Sequence, residues 1–277
     1  MNFQIHDLPQ HIDGKANPEW LVLRSRHFTA STMGEWIAEE PENRLTIAEI
    51  KVELEARGIA YKKADPRPEL LKLLPDADSW AGYTKGRDKA RQAAIYEFLG
   101  RDSASDSAIE ALWLEMKGWS GERETLETKR GNDLEPLARA AYEKASGHLV
   151  KEVGFVSREM LLGCSPDGLC ISSALDSDGY THGLELKCPM LRTFLKWFRD
   201  GRLPDEHVIQ VHHCLAVTGL PKWDFCAWHP DLPSRPFIVT VWRNALTERV
   251  ERGLLELEAD TLAMRDWLDG LKGGREG

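Results

Sequence analysis

The run Gly183-Leu184-Glu185-Leu186-Lys187 constrains the fold more than any other stretch, because it sets two opposite charges at alternate positions inside an apolar strand pattern. Side chains on a strand alternate between faces, so Glu185 and Lys187 share one face and Leu186 takes the other. Wet surface strands show such alternation too. Here the neighbours are Leu184, Leu186 and Cys188, and the segment Ser165-Pro166-Asp167-Gly168 precedes the run. Charge in half-buried surroundings persists when it is paired or metal-bound. A hairpin brings Asp167 beside Glu185, and two carboxylates hold a hard divalent cation through oxygen. Lys187, next to that cation, is placed to orient or deprotonate an attacking water. The pattern points to metal-dependent phosphodiester hydrolysis.

The surrounding patterns predict an α/β protein. Residues 131–147 read as a helix capped by Asn132 or Asp133, with Pro136 in its first turn and Gly147 at its end. Leu134, Leu137, Ala138, Ala141 and Ala145 form its packed stripe. Glu135 and Arg139 lie one turn apart on another face, either as a surface ion pair or with Glu135 aimed at a metal. Strands are predicted over 149–156, 161–164, 168–173, 182–188, 223–228 and 237–242, with a turn at Asp178-Gly179. Helices are predicted over 190–198, 206–217 and 246–271, the last long and amphipathic. At 277 residues the chain can bury one substantial core and carry a small inserted module.

That module is expected over residues 44–76, within a main domain formed by 1–43 and 77–277. Thr46 to Glu49 opens a helix with Ile50, Leu54 and Ala56 as apolar positions, Gly58 stops it, and Pro68 to Leu74 begins another. Before it, residues 20–40 read as a lead-in and a helix capped by Thr29 or Ser31, carrying Met33, Trp36 and Ile37. Hydroxyls at a helix N-terminus with arginines nearby also suit phosphate. Residues 85–100 read as a basic helix, 103–107 as a loop and 109–116 as a helix.

A net charge of −9 argues against a broad coat for DNA, since such binding rests on phosphate neutralisation. Residues 51–101 nonetheless hold 11 Lys or Arg against 8 Asp or Glu, which allows a local basic channel. The five cysteines, Cys164, Cys170, Cys188, Cys214 and Cys226, form no CxxC pair. They read as small buried hydrophobes in a reducing compartment, with an iron–sulfur cluster as the alternative. No run of about 18 apolar residues spans a membrane, and Met1 to Gly14 lacks the order of a signal peptide, so a cytoplasmic protein is expected.

With the Asp167, Glu185 and Lys187 pattern in hand, the sequence resembles the PD-(D/E)xK nuclease superfamily. Within it the chain is most similar to the bacteriophage lambda exonuclease and YqaJ-type viral recombinase family. The segments that carry the resemblance are R-S-R-H-F-T-A-S (24–31), R-G-N-D-L-E-P-L-A-R-x-x-Y-E (130–143), C-S-P-D-G-L-C (164–170), G-L-E-L-K-C-P (183–189) and Q-V-H-H-C-L-A-V-T-G (210–219). They occur in the family's order. Residues 44–76 resemble the SAP or HeH class of small DNA-binding modules, with Lys62, Lys63 and Arg67 as possible phosphate contacts; a plain helical hairpin with solvated lysines is the other reading.

The resemblance implies a nuclease core with a central mixed β-sheet flanked by helices, plus the helical insertion. It implies a processive 5′-to-3′ exonuclease on duplex DNA with 5′-phosphorylated ends, acting as a ring-shaped homotrimer in a bacterial host or prophage setting. A single-strand annealing protein is the implied partner. By matching positions, Asp167, Glu185 and the Leu186 carbonyl would bind one Mg²⁺, and Asp167 and Glu135 a second, with Mn²⁺ able to substitute. Lys187 would position the water, and Gln210 would support the site together with His212, which stands where the family has a second glutamine. Arg24, Ser31 and Ser165 match the 5′-phosphate pocket. Leu126 is the apolar residue nearest the family's strand-separating wedge, and the loop between Asp167 and Glu185 is longer than in the family. A structure-specific endonuclease on the same core, or a catalytically silent DNA clamp, are the competing functions; a clamp gives no reason to gather costly carboxylates near phosphate.

Overall fold

The protein is described from a computed structural model, which covers residues 3–12, 15–30, 46–73, 126–171, 179–255, 258–259 and 262. Expectations for Ser31, for the helix with Met33, Trp36 and Ile37, for residues 85–100, 103–107 and 109–116, and for the outer part of the last helix fall outside these residues.

The chain opens with three short strands, β1 (Gln4–His6), β2 (His11–Ile12) and β3 (Lys15–Ala16), then helix α1 (Pro18–Ser25) and strand β4 (Phe28–Thr29). The expected lead-in is therefore itself helical. Asn17 caps α1 by accepting from the Glu19 N–H at 3.0 Å, and Pro18 occupies the first turn, where a missing N–H costs nothing. Helices α2 (Ile47–Ala56) and α3 (Arg67–Lys72) form a hairpin. A reciprocal Thr46–Glu49 capping box starts α2, and Gly58 ends it in the left-handed conformation that glycine adopts without strain. Ile50, Leu54 and Leu70 make its small core, with Ile59 and Tyr61 against them.

The long helix α4 (Leu126–Ser146) follows. It is already helical at Leu126, five residues before the expected start, so Pro136 lies inside it rather than in the first turn. Next come β5 (Leu149–Lys151), β6 (Phe155–Arg158), β7 (Leu162–Cys164), β8 (Gly168–Ile171) and β9 (Tyr180–Lys187). The single strand expected over 149–156 is broken in two, with β5 and β6 in different sheets. Gly154 marks the break: a Cβ there would lie 1.5 Å from the Leu8 carbonyl oxygen, so only glycine lets the N-terminal segment pass. Helices α5 (Leu191–Asp200) and α6 (Asp205–Thr218) carry the crossover from β9 to β10 (Lys222–Ala227), which runs parallel to it. Strand β11 (Phe237–Trp242) and a helix over 245–255 complete the described chain.

The expected central mixed sheet is the five-stranded one, in the order β11-β10-β9-β8-β5. A second mixed sheet, β1-β6-β7-β4, lies across α6 from it. Helix α6 is buried on nearly every side, and ten of its residues, His212, His213 and Thr218 among them, lie between the sheets. On the opposite face of the five-stranded sheet, Ala138 and Tyr142 of α4 pack on Cys170, Leu184, Leu186, Cys226 and Trp228. No helix among the described residues is long and apolar enough to cross a membrane.

Candidate active site

The alternation on β9 divides its side chains between two environments. Leu184 and Leu186 enter the apolar layer under α4, while Glu185 turns toward α6 and is only 2% exposed. Gly183, two residues earlier, shares the Glu185 face, and the Trp223 ring crosses it there; an added Cβ would meet that ring at 2.2 Å.

Asp167 ends the β8–β9 ladder. Its N–H donates to the Leu184 carbonyl at 3.2 Å, and its Oδ2 then accepts from the Leu186 N–H at 2.6 Å. The carboxylate is thereby fixed against the same strand that carries Glu185. Glu185 Oε1 accepts from Lys187 Nζ at 2.5 Å and from Gln210 Nε2 at 2.7 Å. Glu135 arrives from α4, close enough to feel the charges of Glu185 and Lys187. A cavity of about 410 Å³ opens on Glu135, Arg139 and Asp167, walled by Asp7 to His11 and by Glu152.

Three acids share this region with few cations, and their protonation reflects it. Burial, then the Glu185 charge, raises the Asp167 carboxyl well above its usual range. Burial raises Glu135 as well, with Arg139 opposing. Burial alone would depress the Lys187 ammonium, but Glu185 and Asp167 outweigh it and raise its value.

Among the described residues no three His, Cys, Asp or Glu side chains converge into a ready-made metal cage. Glu185 is engaged by Lys187 and Gln210, and Glu135 by Arg139. The donor set still suits a hard divalent cation: carboxylate oxygens, a backbone carbonyl at Leu186, and an excess of negative charge that added cations would relieve.

One expected partner is placed differently. His212 Nδ1 meets Thr247 Oγ1 at 2.7 Å, so its side chain is not brought to the acids beside Gln210. Two residues along a helix turn a side chain through roughly 200°, which sends Gln210 and His212 to opposite sides. The Arg24 guanidinium lies over the Trp20 ring at 5.1 Å, and Trp20 in turn donates to the Gly154 carbonyl at 2.9 Å. The Ser165 hydroxyl is buried without a hydrogen-bond partner among the described residues. Lys62 and Lys63 are exposed on the link of the helical hairpin, and Arg67 is half-buried at the start of α3. The Leu126 side chain falls outside the described ones.

Other contributors were not singled out from the sequence. Arg130 donates to the carbonyls of Cys188 and Pro189, tying the first turns of α4 to the end of β9. His207 stacks on Phe225 at 5.1 Å and meets Trp197 edge-on at 5.3 Å, one turn before Gln210. Burial, with Lys187 nearby, lowers it to about 3, so it stays neutral. The H-x-x-Q spacing on a helix was the available signal. All five cysteines are free thiols, four of them buried and Cys188 half-buried.

The YqaJ-like viral recombinase domain matches residues 19–221 of the chain. No curated protein matches it in sequence. Among solved structures, the alkaline exonuclease LHK-Exo from Laribacter hongkongensis is similar in fold, with a TM-score of 0.56 and 20% identity over 94% of this chain and 100% of that one. LHK-Exo in complex with dAMP gives a TM-score of 0.55 at the same identity and coverage. A phage-related exonuclease from Haemophilus somnus 129PT aligns over 90% of this chain and 96% of that one, at 12% identity and a TM-score of 0.42.

Proposed function

The chain belongs to the YqaJ-like viral recombinase family, and from that premise we propose that it is a metal-dependent exonuclease that degrades one strand of linear duplex DNA from the 5′ end. The 3′ single strands so exposed would feed recombination by strand annealing. The observation that carries this reading is the meeting of Asp167, Glu185, Lys187 and Gln210 at the end of one strand pair, with Glu135 supplied by α4. The fold shared with LHK-Exo supports it, and that protein's complex with dAMP shows a nucleoside monophosphate bound to such a fold.

In this reading Asp167, Glu185 and the Leu186 carbonyl would hold one Mg²⁺, and Asp167 and Glu135 a second. When bound, such ions stabilise charge on the attacking and leaving oxygens and lower the pKa of water. Mn²⁺, which takes the same oxygen donors, would substitute. The chain's own residues do the positioning. Lys187, held as an ammonium by its acidic neighbours, donates and so orients the water rather than accepting its proton. Gln210 fixes the buried Glu185 from the α6 side. Arg24, with a planar fork suited to phosphate, and the unpartnered Ser165 hydroxyl would receive the 5′-phosphate together with Ser31. Lys62, Lys63 and Arg67 would let the hairpin unit touch duplex DNA. On family grounds the working form is a homotrimeric ring in a bacterial cytoplasm, acting with a single-strand annealing protein.

The test compares linear with covalently closed circular duplex in Mg²⁺ and in chelator. Linear DNA should be digested only with Mg²⁺, and circles should survive. Cleavage of circles at the same rate would instead favour an endonuclease on this core.

A further inference from the structure

Glu135 and Asp167 reach the acidic group from separate segments, and as carboxylates neither can bond the other. Arg139 stands between them. It lies one turn after Glu135 on α4, with its side chain only 12% exposed. Its Nη2 donates to Glu135 Oε1 at 2.6 Å and to the Asp167 backbone carbonyl at 3.2 Å. Its Nη1 donates to Glu152 Oε1 at 2.6 Å, just beyond β5.

We propose that Arg139 is a positioning residue, a strut that fixes α4 against the start of β8 and so holds Glu135 at a set distance from Asp167 for a shared divalent cation. This rests on the metal-dependent reading of the acidic group. A different role would be a placeholder charge that merely balances the acids until a metal arrives. Three features favour the strut. One contact is to a backbone carbonyl, which has no net charge to balance. A planar guanidinium serves several acceptors in fixed directions, which a point charge cannot. Among the described residues only Oε1 of Glu135 is engaged, which leaves its second oxygen for a ligand. Glu152, 73% exposed, holds the guanidinium from the cavity wall, on the side away from Glu135 and Asp167.

The two roles give opposite results. Removing a placeholder frees a carboxylate and tightens metal binding, whereas removing a strut weakens it. The full-length protein, Arg139→Gln, Arg139→Lys and Glu152→Gln should be titrated with Mn²⁺ by isothermal calorimetry, alongside thermal unfolding and the Mg²⁺ dependence of linear-duplex digestion. Partners that orient metal ligands typically change affinity about tenfold to a hundredfold when removed. Arg139→Gln is therefore expected to unfold cooperatively yet bind Mn²⁺ at least about tenfold more weakly, with Arg139→Lys recovering little and Glu152→Gln intermediate. Unchanged or tighter binding by a folded Arg139→Gln protein overturns the strut alone. If that variant does not fold, wild-type affinity in Arg139→Lys overturns it instead. A wild-type chain that binds no Mn²⁺ removes the metal reading and the strut with it.

Discussion

Asp167 is the residue at which function and stability pull hardest against each other. Its carboxyl is raised well above the usual range, first by burial and then by Glu185, so the fold resists its ionised form. A carboxyl raised in this way binds its proton earlier in the folded than in the unfolded chain, so lowering the pH toward that value stabilises the metal-free protein. Asp167→Asn keeps an acceptor for the Leu186 N–H and removes the like charge. It should raise the Tm of the metal-free chain at neutral pH, by an amount that shrinks as the pH falls, while abolishing nuclease turnover; a lowered Tm at neutral pH would contradict the charge argument. Lys187→Met should leave metal binding within a few-fold and cut turnover by about 10²-fold or more, read as a fall in kcat rather than a rise in KM. Glu185, Lys187 and Asp167 were legible because strand alternation has a period of two and the hairpin is local. Arg139 was legible only as the partner of Glu135. Its second partner lies 28 residues away, across a packing that no spacing rule describes.

Between α4 and the five-stranded sheet lies a buried polar network. The Tyr142 hydroxyl donates to Asp224 Oδ2 at 2.6 Å and meets His182 Nε2 at 2.9 Å, while Thr181 Oγ1 meets His182 Nδ1 at 2.8 Å. Tyr142 is two turns beyond Glu135, so this network sets the register of the helix that delivers the acid. Tyr142→Phe removes one donor from the buried Asp224 carboxylate, which keeps His182 and Thr240 beside it, and a lost hydrogen bond to a charged group should cost about 1.5–3 kcal/mol in denaturant unfolding. A loss near zero would mean that water replaces the hydroxyl. At this scale the sequence marked the described helices other than α1, and most strands, since their periods are local. It missed the break at Gly154, whose cause is the distant Leu8 backbone. It also missed β1, three residues without pattern that pair with β6 some 150 positions away.

Across the whole molecule, α6 is the element both sheets share, and His213 links it to β7 through the Gly163 carbonyl at 2.9 Å. Burial pushes His213 down to about 4 against an ordinary 6.5. The unfolded chain therefore takes a proton between those values that the folded chain refuses, so this contribution is complete above about 6.5 and is lost as the pH falls toward 4, up to about 3 kcal/mol in all. Asp167 slopes the other way, so the effect should be read as the difference between wild type and His213→Gln in urea midpoints across that range. The α/β class was legible from patterning, but the second sheet was not, because β1 and β4 are too short to carry a period. The decisive measurement uses linear duplex labelled at either 5′ or 3′ ends, incubated with purified full-length protein with and without Mg²⁺. Label should leave 5′ ends first, as mononucleotides and only with Mg²⁺; intact ends in Mg²⁺, or equal release in chelator, would contradict a metal-dependent exonuclease centre at Asp167, Glu185 and Lys187.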